Sequence, residues 1–440
     1  MSDEKGEKNH KEKKKNVCSF CHKSWQEVGA LVEGTGPQND QIYICRICVE
    51  QAKTVIEASD IKNKKNQTPD SPAVLTQELP APKDIVRFLD DYVIGQNRAK
   101  RVMALAVINH YKRLIIHRLG IKDDPYPDVQ IDKSNVLFIG PTGCGKTLLA
   151  RTLSQILNVP FAIGDATTLT EAGYVGEDVE SLLLRLIRAA NGNVESAQNG
   201  ILYIDEIDKI ATSRGNVSIT RDVSGEGVQQ GLLKLLEGTV ANVPPGGGRK
   251  HPEQSYVSFD TTNVLFICGG TFVGLKNIIG RRLGKKQIGF LSETKVNAFD
   301  EELDLIAHVT PEDLHEFGMI PEFIGRLPII THIDPLSTSD LSRILTEPKD
   351  ALLKQYQKLF YLDGVNLEFK DNAVEEIACI AKSKETGARG LRSVVETVMH
   401  GIMFDLPSYE KGHILTVDKQ VVKDAINVEK KHKDDENVAA

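Results

Sequence analysis

With 440 residues, of which 40% are apolar and 26% charged, the chain exceeds one comfortable hydrophobic core and is expected to divide into two or three domains. A formal net charge of -7 argues against a general polyanion binder, although local basic loops remain compatible with it. No apolar run approaches the roughly 20 residues that a bilayer crossing needs, and MSDEKGEKNHKEKKK lacks the apolar segment of a secretory signal, so no membrane association and a cytoplasmic location are expected.

Residues 1–15 are polar and expected to be disordered. From 16 to 55 the chain is rich in cysteine and carries its only tryptophan, Trp25. Four of the seven cysteines form two CxxC pairs, Cys18 with Cys21 and Cys45 with Cys48. In a reducing compartment that spacing points to a metal site rather than to disulfides. A module this small cannot bury enough apolar surface to fold alone, whereas structural Zn2+ contributes about 10 to 16 kcal/mol of apparent binding free energy. Residues 56–83 are polar and proline-bearing, the composition of a flexible linker.

Between 84 and 335, short buried-strand patterns alternate with helical ones. NVLFIG (135–140), GILYID (200–205) and NVLFIC (263–268) are apolar runs bounded by polar residues or glycine, as expected for central strands of a parallel sheet covered on both faces. TLLARTLSQIL and VESLLLRLIRAAN carry apolar residues at helical spacing, so the fold class is α/β, a parallel sheet sandwiched by helices. Residues 336–428 are expected to form a smaller, mostly helical domain with NLEF and HILTV as short strands, followed by a disordered tail at 429–440.

Gly140-Pro141-Thr142-Gly143-Cys144-Gly145-Lys146-Thr147 fits GxxxxGK[ST], directly after a predicted strand and before a predicted helix. Such glycines let backbone N–H groups turn toward phosphate oxygens, and the helix N-terminus adds its positive dipole end. Lys146 is then expected to reach the β and γ phosphates of ATP and Thr147 to ligate Mg2+, with Leu148 closing the cofactor-binding loop. Cys144 reads as a small loop residue rather than a redox switch. In ILYIDEIDK an apolar strand delivers Asp205 and Glu206 at its C-terminal end. Asp205 can hold magnesium and Glu206 can polarise the attacking water, which suggests hydrolysis rather than passive binding. Asp208 is expected to be a solvated carboxylate at a helix start.

Together these motifs resemble the AAA+ ATPases, and within them the ClpX unfoldases, the ATPase partners of Clp peptidases; the likeness runs nearly the whole chain from the cysteine module onward. VIGQNRAK (93–100) resembles the stretch bordering the adenine, which implies Val93 and Ile94 as nucleotide contacts. GYVG (173–176) resembles a first pore loop with Tyr174 and Val175, RDVSGEGVQQ (221–230) a second, and GGRKH (247–251) a basic pore-entrance loop with Arg249, Lys250 and His251. PEFIGRLP (321–328) resembles the segment that presents an arginine finger, implying that Arg326 acts in trans, and TGARGLR (386–392) resembles a sensor-2 helix, implying that Arg389 acts in cis. After NVLFIC stands GGTF, where many AAA+ proteins carry a polar sensor, and no catalytic residue is expected there.

The resemblance further implies a homo-hexameric ring that unfolds tagged or unfolded substrates, with or without adaptors, and feeds a Clp peptidase; the cysteine module is a candidate for dimerisation. Ile288-Gly289-Phe290, in LGKKQIGFL, stands alone as an apolar tripeptide tucked back on its own domain, but within the family it is expected to dock on the peptidase ring. The residues carry their own logic: an aromatic between glycines can grip an unfolded chain without reading its sequence, and basic side chains after VPPGGG suit capture of acidic chain ends. Two competing readings are weaker. A motor remodelling nucleoprotein complexes is opposed by the acidic net charge and the lack of a basic recognition helix, so no direct nucleic-acid contact is expected. A zinc adaptor that binds ATP without turnover is opposed by Glu206 and Arg326. Neither HExxH nor GxSxG is present, so proteolysis would come from a partner.

Overall fold

The computed structural model describes residues 17–35, 41–53, 79–119, 125–170, 177–212, 225–244, 256–283 and 305–428. Two compact units emerge, one of Met1–Thr76 with Ile115–Asp128 and one of Gln77–Leu114 with Val129–Ala440. Among the described residues no helix is long and apolar enough to cross a membrane.

The first unit is built on an antiparallel hairpin, β1 (Leu31–Thr35) and β2 (Gln41–Cys45). Its buried centre consists of Cys18, Cys45 and Cys48, with Val28, Leu31 and Ile44 packed against them. Six residues are a small core for an independently folding unit, and Phe20, Trp25, Val32 and Ile47 stay exposed around it.

The second unit contains a five-stranded parallel sheet of order β4-β5-β8-β3-β9, made of β3 (Val136–Ile139), β4 (Phe161–Asp165), β5 (Ile201–Asp205), β8 (Leu265–Gly270) and β9 (Ile329–His332). The three strands expected from sequence are its three central ones. Their side chains alternate between two cores, as the two-residue period of a strand requires. Leu137 and Ile139, Leu202 and Ile204, Phe266 and Cys268 enter one cluster, whereas Val136 and Phe138, Ile201 and Tyr203, Leu265 and Ile267 enter the other. A strand apolar at every position is thus a strand with a core on each face. The antiparallel pair β6 (Val240–Val243) and β7 (Val257–Asp260) forms a separate two-stranded sheet whose Ala241, Val243 and Phe259 join the first cluster.

The cores divide between Ile333 and Leu336. Beyond that point a third cluster gathers helices Thr338–Thr346, Leu352–Leu362, Asp371–Ser383 and Ala388–Phe404 around the parallel pair β10 (Asn366–Phe369) and β11 (Ile414–Val417). The first two of these helices are separated by a segment that contains Pro348, which cannot donate to a helix ladder.

Candidate functional site

At the C-terminal end of β3 the chain turns through 140–145 into the helix Lys146–Leu157. Gly143 and Gly145 have φ of +74° and +100°, a region that L side chains rarely adopt. Gly143 is also crowded: a Cβ there would lie 2.4 Å from the Thr386 carbonyl oxygen. Ala388 N donates to Gly143 O at 3.0 Å, so the start of helix Ala388–Phe404 sits directly on the phosphate loop. Lys146 Nζ donates to the carbonyls of Gly140 and Pro141 at 2.6 and 2.9 Å. Cys144 is buried, its thiol donates to Pro141 O, and burial raises its pKa; such a thiol is poorly suited to redox chemistry.

β5 ends at the same rim. Thr147 Oγ1 donates to Asp205 Oδ2 at 3.2 Å although β8 lies between β5 and β3, so the hydroxyl and carboxylate meet above the sheet edge. Asp205 Oδ1 accepts from the buried Tyr203 hydroxyl at 3.2 Å and from Glu206 N at 3.0 Å. Burial, followed by the adjacent Asp205 charge, raises the Tyr203 pKa and keeps it a neutral donor. Glu206 has φ +55° and ψ +34°. A left-handed conformation at a residue other than glycine costs about 1 kcal/mol, and such strain clusters where a side chain must be aimed.

The expectation for Asp208 is corrected. It is only 7% exposed and accepts from Thr271 N, Thr271 Oγ1 and Phe272 N at 3.0, 2.9 and 3.2 Å. The 3-10 turn Ile207–Ile210 rotates it inward rather than opening a solvated helix. It therefore ties the end of β5 to the end of β8, and Thr271, the polar residue of GGTF, lies on that tie.

These groups surround a cavity of about 670 Å³. Its lining brings together Val93 and Ile94, the phosphate loop from Thr142 to Leu148, Asp205, Glu206 and Arg389. Gly140 and Pro141 instead face a neighbouring cavity of about 470 Å³. Tyr92, Leu336, Ile344 and Arg392 also line the first cavity and are not singled out by sequence. Arg392 follows Arg389 by three residues, the spacing that places two side chains on one helix face. The wall at Val93 is held from behind: buried Lys100 donates to Val93 O and to Asp90 Oδ1, while Gln96 exchanges two hydrogen bonds with the Asp334 backbone at 2.7 and 2.9 Å.

Arg326 is elsewhere. Its backbone oxygen accepts from Asn135 Nδ2 at 3.0 Å, at the start of β3, whereas the phosphate loop leaves the end of that strand. Five residues of strand separate the two by about 16 Å.

In the first unit the four Sγ atoms of Cys18, Cys21, Cys45 and Cys48 lie within 4.8 Å of one another. Cys18 is 3.9 Å from Cys48 and Cys21 is 3.8 Å from Cys45, far longer than a disulfide. Four thiolates around Zn2+ at 2.3 Å would have sulfur–sulfur edges of about 3.8 Å, so the residues fit this ion. Burial works against the Cys18 thiolate, but backbone hydrogen bonds from Cys21, Cys45 and Phe20 outweigh it and hold its pKa at about 6.

Tyr174, Val175, Arg249, Lys250, His251, Ile288, Gly289 and Phe290, with the first four residues of 221–230, lie outside the described residues. The chain flanking three of these segments is pinned. Thr170 N donates to Glu177 O and Glu177 N to Thr168 O, and Arg185 grips the Glu177 carboxylate at 3.0 and 2.7 Å. Val243 pairs with Val257 across β6 and β7. Arg282 forks onto Asp313 at 2.8 and 2.9 Å.

Comparison with known proteins agrees with this arrangement. Residues 16–58 match the ClpX C4-type zinc finger, 131–330 the AAA domain (Cdc48 subfamily), and 336–421 the C-terminal, D2-small domain, of ClpB protein. The ATP-dependent Clp protease ATP-binding subunit ClpX of Bacteroides thetaiotaomicron is 50% identical over 399 residues, covering 91% of this chain and 93% of its own. Proteins of the same description from two strains of Bacteroides fragilis are 50% identical over 405 residues, covering 92% of this chain and 94% of theirs. With the phosphate loop, the paired carboxylates and the four-cysteine cluster on one chain, the protein belongs to the ClpX family of AAA+ ATPases.

Proposed function

We propose that the chain is one subunit of a homo-hexameric ring that hydrolyses ATP at its subunit boundaries and uses the cycle to unfold and thread proteins into a separate Clp peptidase. The observation that carries this reading is the position of Arg326. An arginine side chain cannot cross the roughly 16 Å of strand back to its own phosphate loop, so a finger at the far end of β3 can serve only a neighbour's nucleotide. The remaining roles follow from the cavity. Lys146 and the loop amides hold the phosphates of ATP, and Thr147 and Asp205 hold Mg2+, which neutralises charge on the phosphates when bound. Glu206 orients and deprotonates water, while Arg389 couples the position of the helical domain to the nucleotide because its helix starts on Gly143. Motion there would reach Tyr174 and Val175 for grip, with Arg249, Lys250 and His251 at the entrance. A cytoplasmic location is part of the same proposal.

The four-cysteine module holds Zn2+ in this reading and folds with it. Cys18→Ser is expected to release about one zinc per chain and to change Trp25 fluorescence, while ATP hydrolysis persists. Purified protein without zinc, or loss of ATPase activity on removal of the module, would contradict this.

Coupling to the peptidase is assigned to Ile288-Gly289-Phe290. Burying both apolar side chains yields about 3 to 6 kcal/mol before ordering costs, so one loop alone binds no better than roughly millimolar. Six loops on a ring multiply that through effective concentration. Phe290→Ala is expected to abolish peptidase binding and coupled degradation with ATP hydrolysis near wild type. Lower thermal stability with degradation intact would mean that the tripeptide is a buried local anchor.

A further inference from the structure

Arg326 is held at its side chain as well as its backbone. Its Nε donates to Glu237 Oε1 at 3.0 Å and its Nη2 lies 2.9 Å from the same oxygen as an ion pair, and Glu237 is the last residue of helix Glu226–Glu237. Behind this pair lies Asn135, 1% exposed. Its amide nitrogen donates to Arg326 O at 3.0 Å and reaches Leu236 O at 3.5 Å, while its oxygen accepts from Phe266 N at 3.3 Å. One buried side chain therefore fixes the backbone on both sides of the ion pair relative to the central strands.

The pair itself is half-exposed, at 54% for Arg326 and 42% for Glu237. Ion pairs that open to water contribute little to folding. What this one does restrict is the arginine, a side chain with large rotamer freedom in solution. Of the five guanidinium N–H groups, the one on Nε is hydrogen-bonded to Glu237, and donors on Nη1 and Nη2 remain for another group.

We infer that Glu237 is a positioning residue for the arginine finger: it holds the Arg326 guanidinium in the orientation in which its remaining donors meet the phosphate of the neighbouring subunit. This rests on the reading of Arg326 as the finger. Glu237 touches no nucleotide in this account, so it acts on turnover through Arg326 alone. Its loss leaves the finger present but disordered, and each cycle must then order it again.

The test uses the full-length ring and measures kcat, KM for ATP and thermal midpoint for Glu237→Ala, Glu237→Gln, Arg326→Ala and the double variant Glu237→Ala/Arg326→Ala. Glu237→Ala is expected to lower kcat about tenfold, the order set by re-ordering one arginine, with KM unchanged and the midpoint within about 2 °C of wild type. Glu237→Gln, which keeps an acceptor oxygen, recovers most of the rate. In the Arg326→Ala background Glu237→Ala has no further effect, because the group it positions is gone. A Glu237→Ala rate at or above wild type while Arg326→Ala is crippled overturns the inference and leaves the finger standing. An equal loss in both backgrounds also overturns it, since Glu237 would then act by another route. Wild-type turnover in Arg326→Ala overturns the finger reading and this inference together. Should Glu237→Ala not assemble, Glu237→Asp is judged by the same cycle.

Discussion

Glu206→Gln is expected to bind ATP and assemble as the wild type does while losing turnover by about 10² to 10⁴, the range for removal of a general base. The carboxamide has the shape of the carboxylate, and Glu206 is engaged at its backbone, where its N–H donates to Asp205 Oδ1. The left-handed turn that aims the side chain therefore survives the change. Thr147, Lys146 and the loop amides are untouched, so nucleotide affinity should hold. Equilibrium ATP binding and steady-state hydrolysis on the same preparation decide it. Undiminished hydrolysis would remove Glu206 from the role of base.

Arg326→Ala is expected to cost more, about 10³ to 10⁵ in rate or roughly 4 to 7 kcal/mol of transition-state stabilisation. The sharper consequence concerns mixtures. On the proposed roles, subunits with Glu206→Gln keep a working finger, and subunits with Arg326→Ala keep a working base. Neither ring turns over alone, but a mixed ring contains sites whose base comes from one subunit and whose finger comes from the next. Mixing should restore part of the ATPase activity in proportion to such neighbours. No recovery in rings shown to exchange subunits would place the finger in cis or remove it from catalysis.

The central strands were legible because each carries an unbroken apolar run of at least four residues, and a strand with two covered faces has no polar side to hide the pattern. β4 and β9 were not, for the same reason in reverse. FAIGD and IITH mix glycine, acid and polar residues, as suits strands at the sheet edges where one neighbour is missing. The residues gathered at the cavity were readable where chemistry requires a fixed spacing, as in GxxxxGK[ST] or two carboxylates after a strand. Tyr92, Leu336 and Ile344 come from separate segments and carry no spacing signal; only the folded chain collects them. Asp208 shows a different limit. Local sequence places an acid at a helix start, where exposure is the common outcome, and nothing nearby reveals that Thr271, 63 residues on, supplies its partners. The Glu237–Arg326 pair, 89 residues apart in sequence, was hidden by the same lack of local signal.

The most direct measurement of the central claim combines this chain, ATP, a Clp peptidase and a stably folded, tagged fluorescent protein, and follows both fluorescence and intact substrate. The account predicts loss of the folded substrate only when every component is present and hydrolysis is possible, with the substrate surviving when Glu206→Gln replaces the wild-type chain. Persistence of the substrate in the complete mixture, or its degradation without ATP turnover, would contradict it.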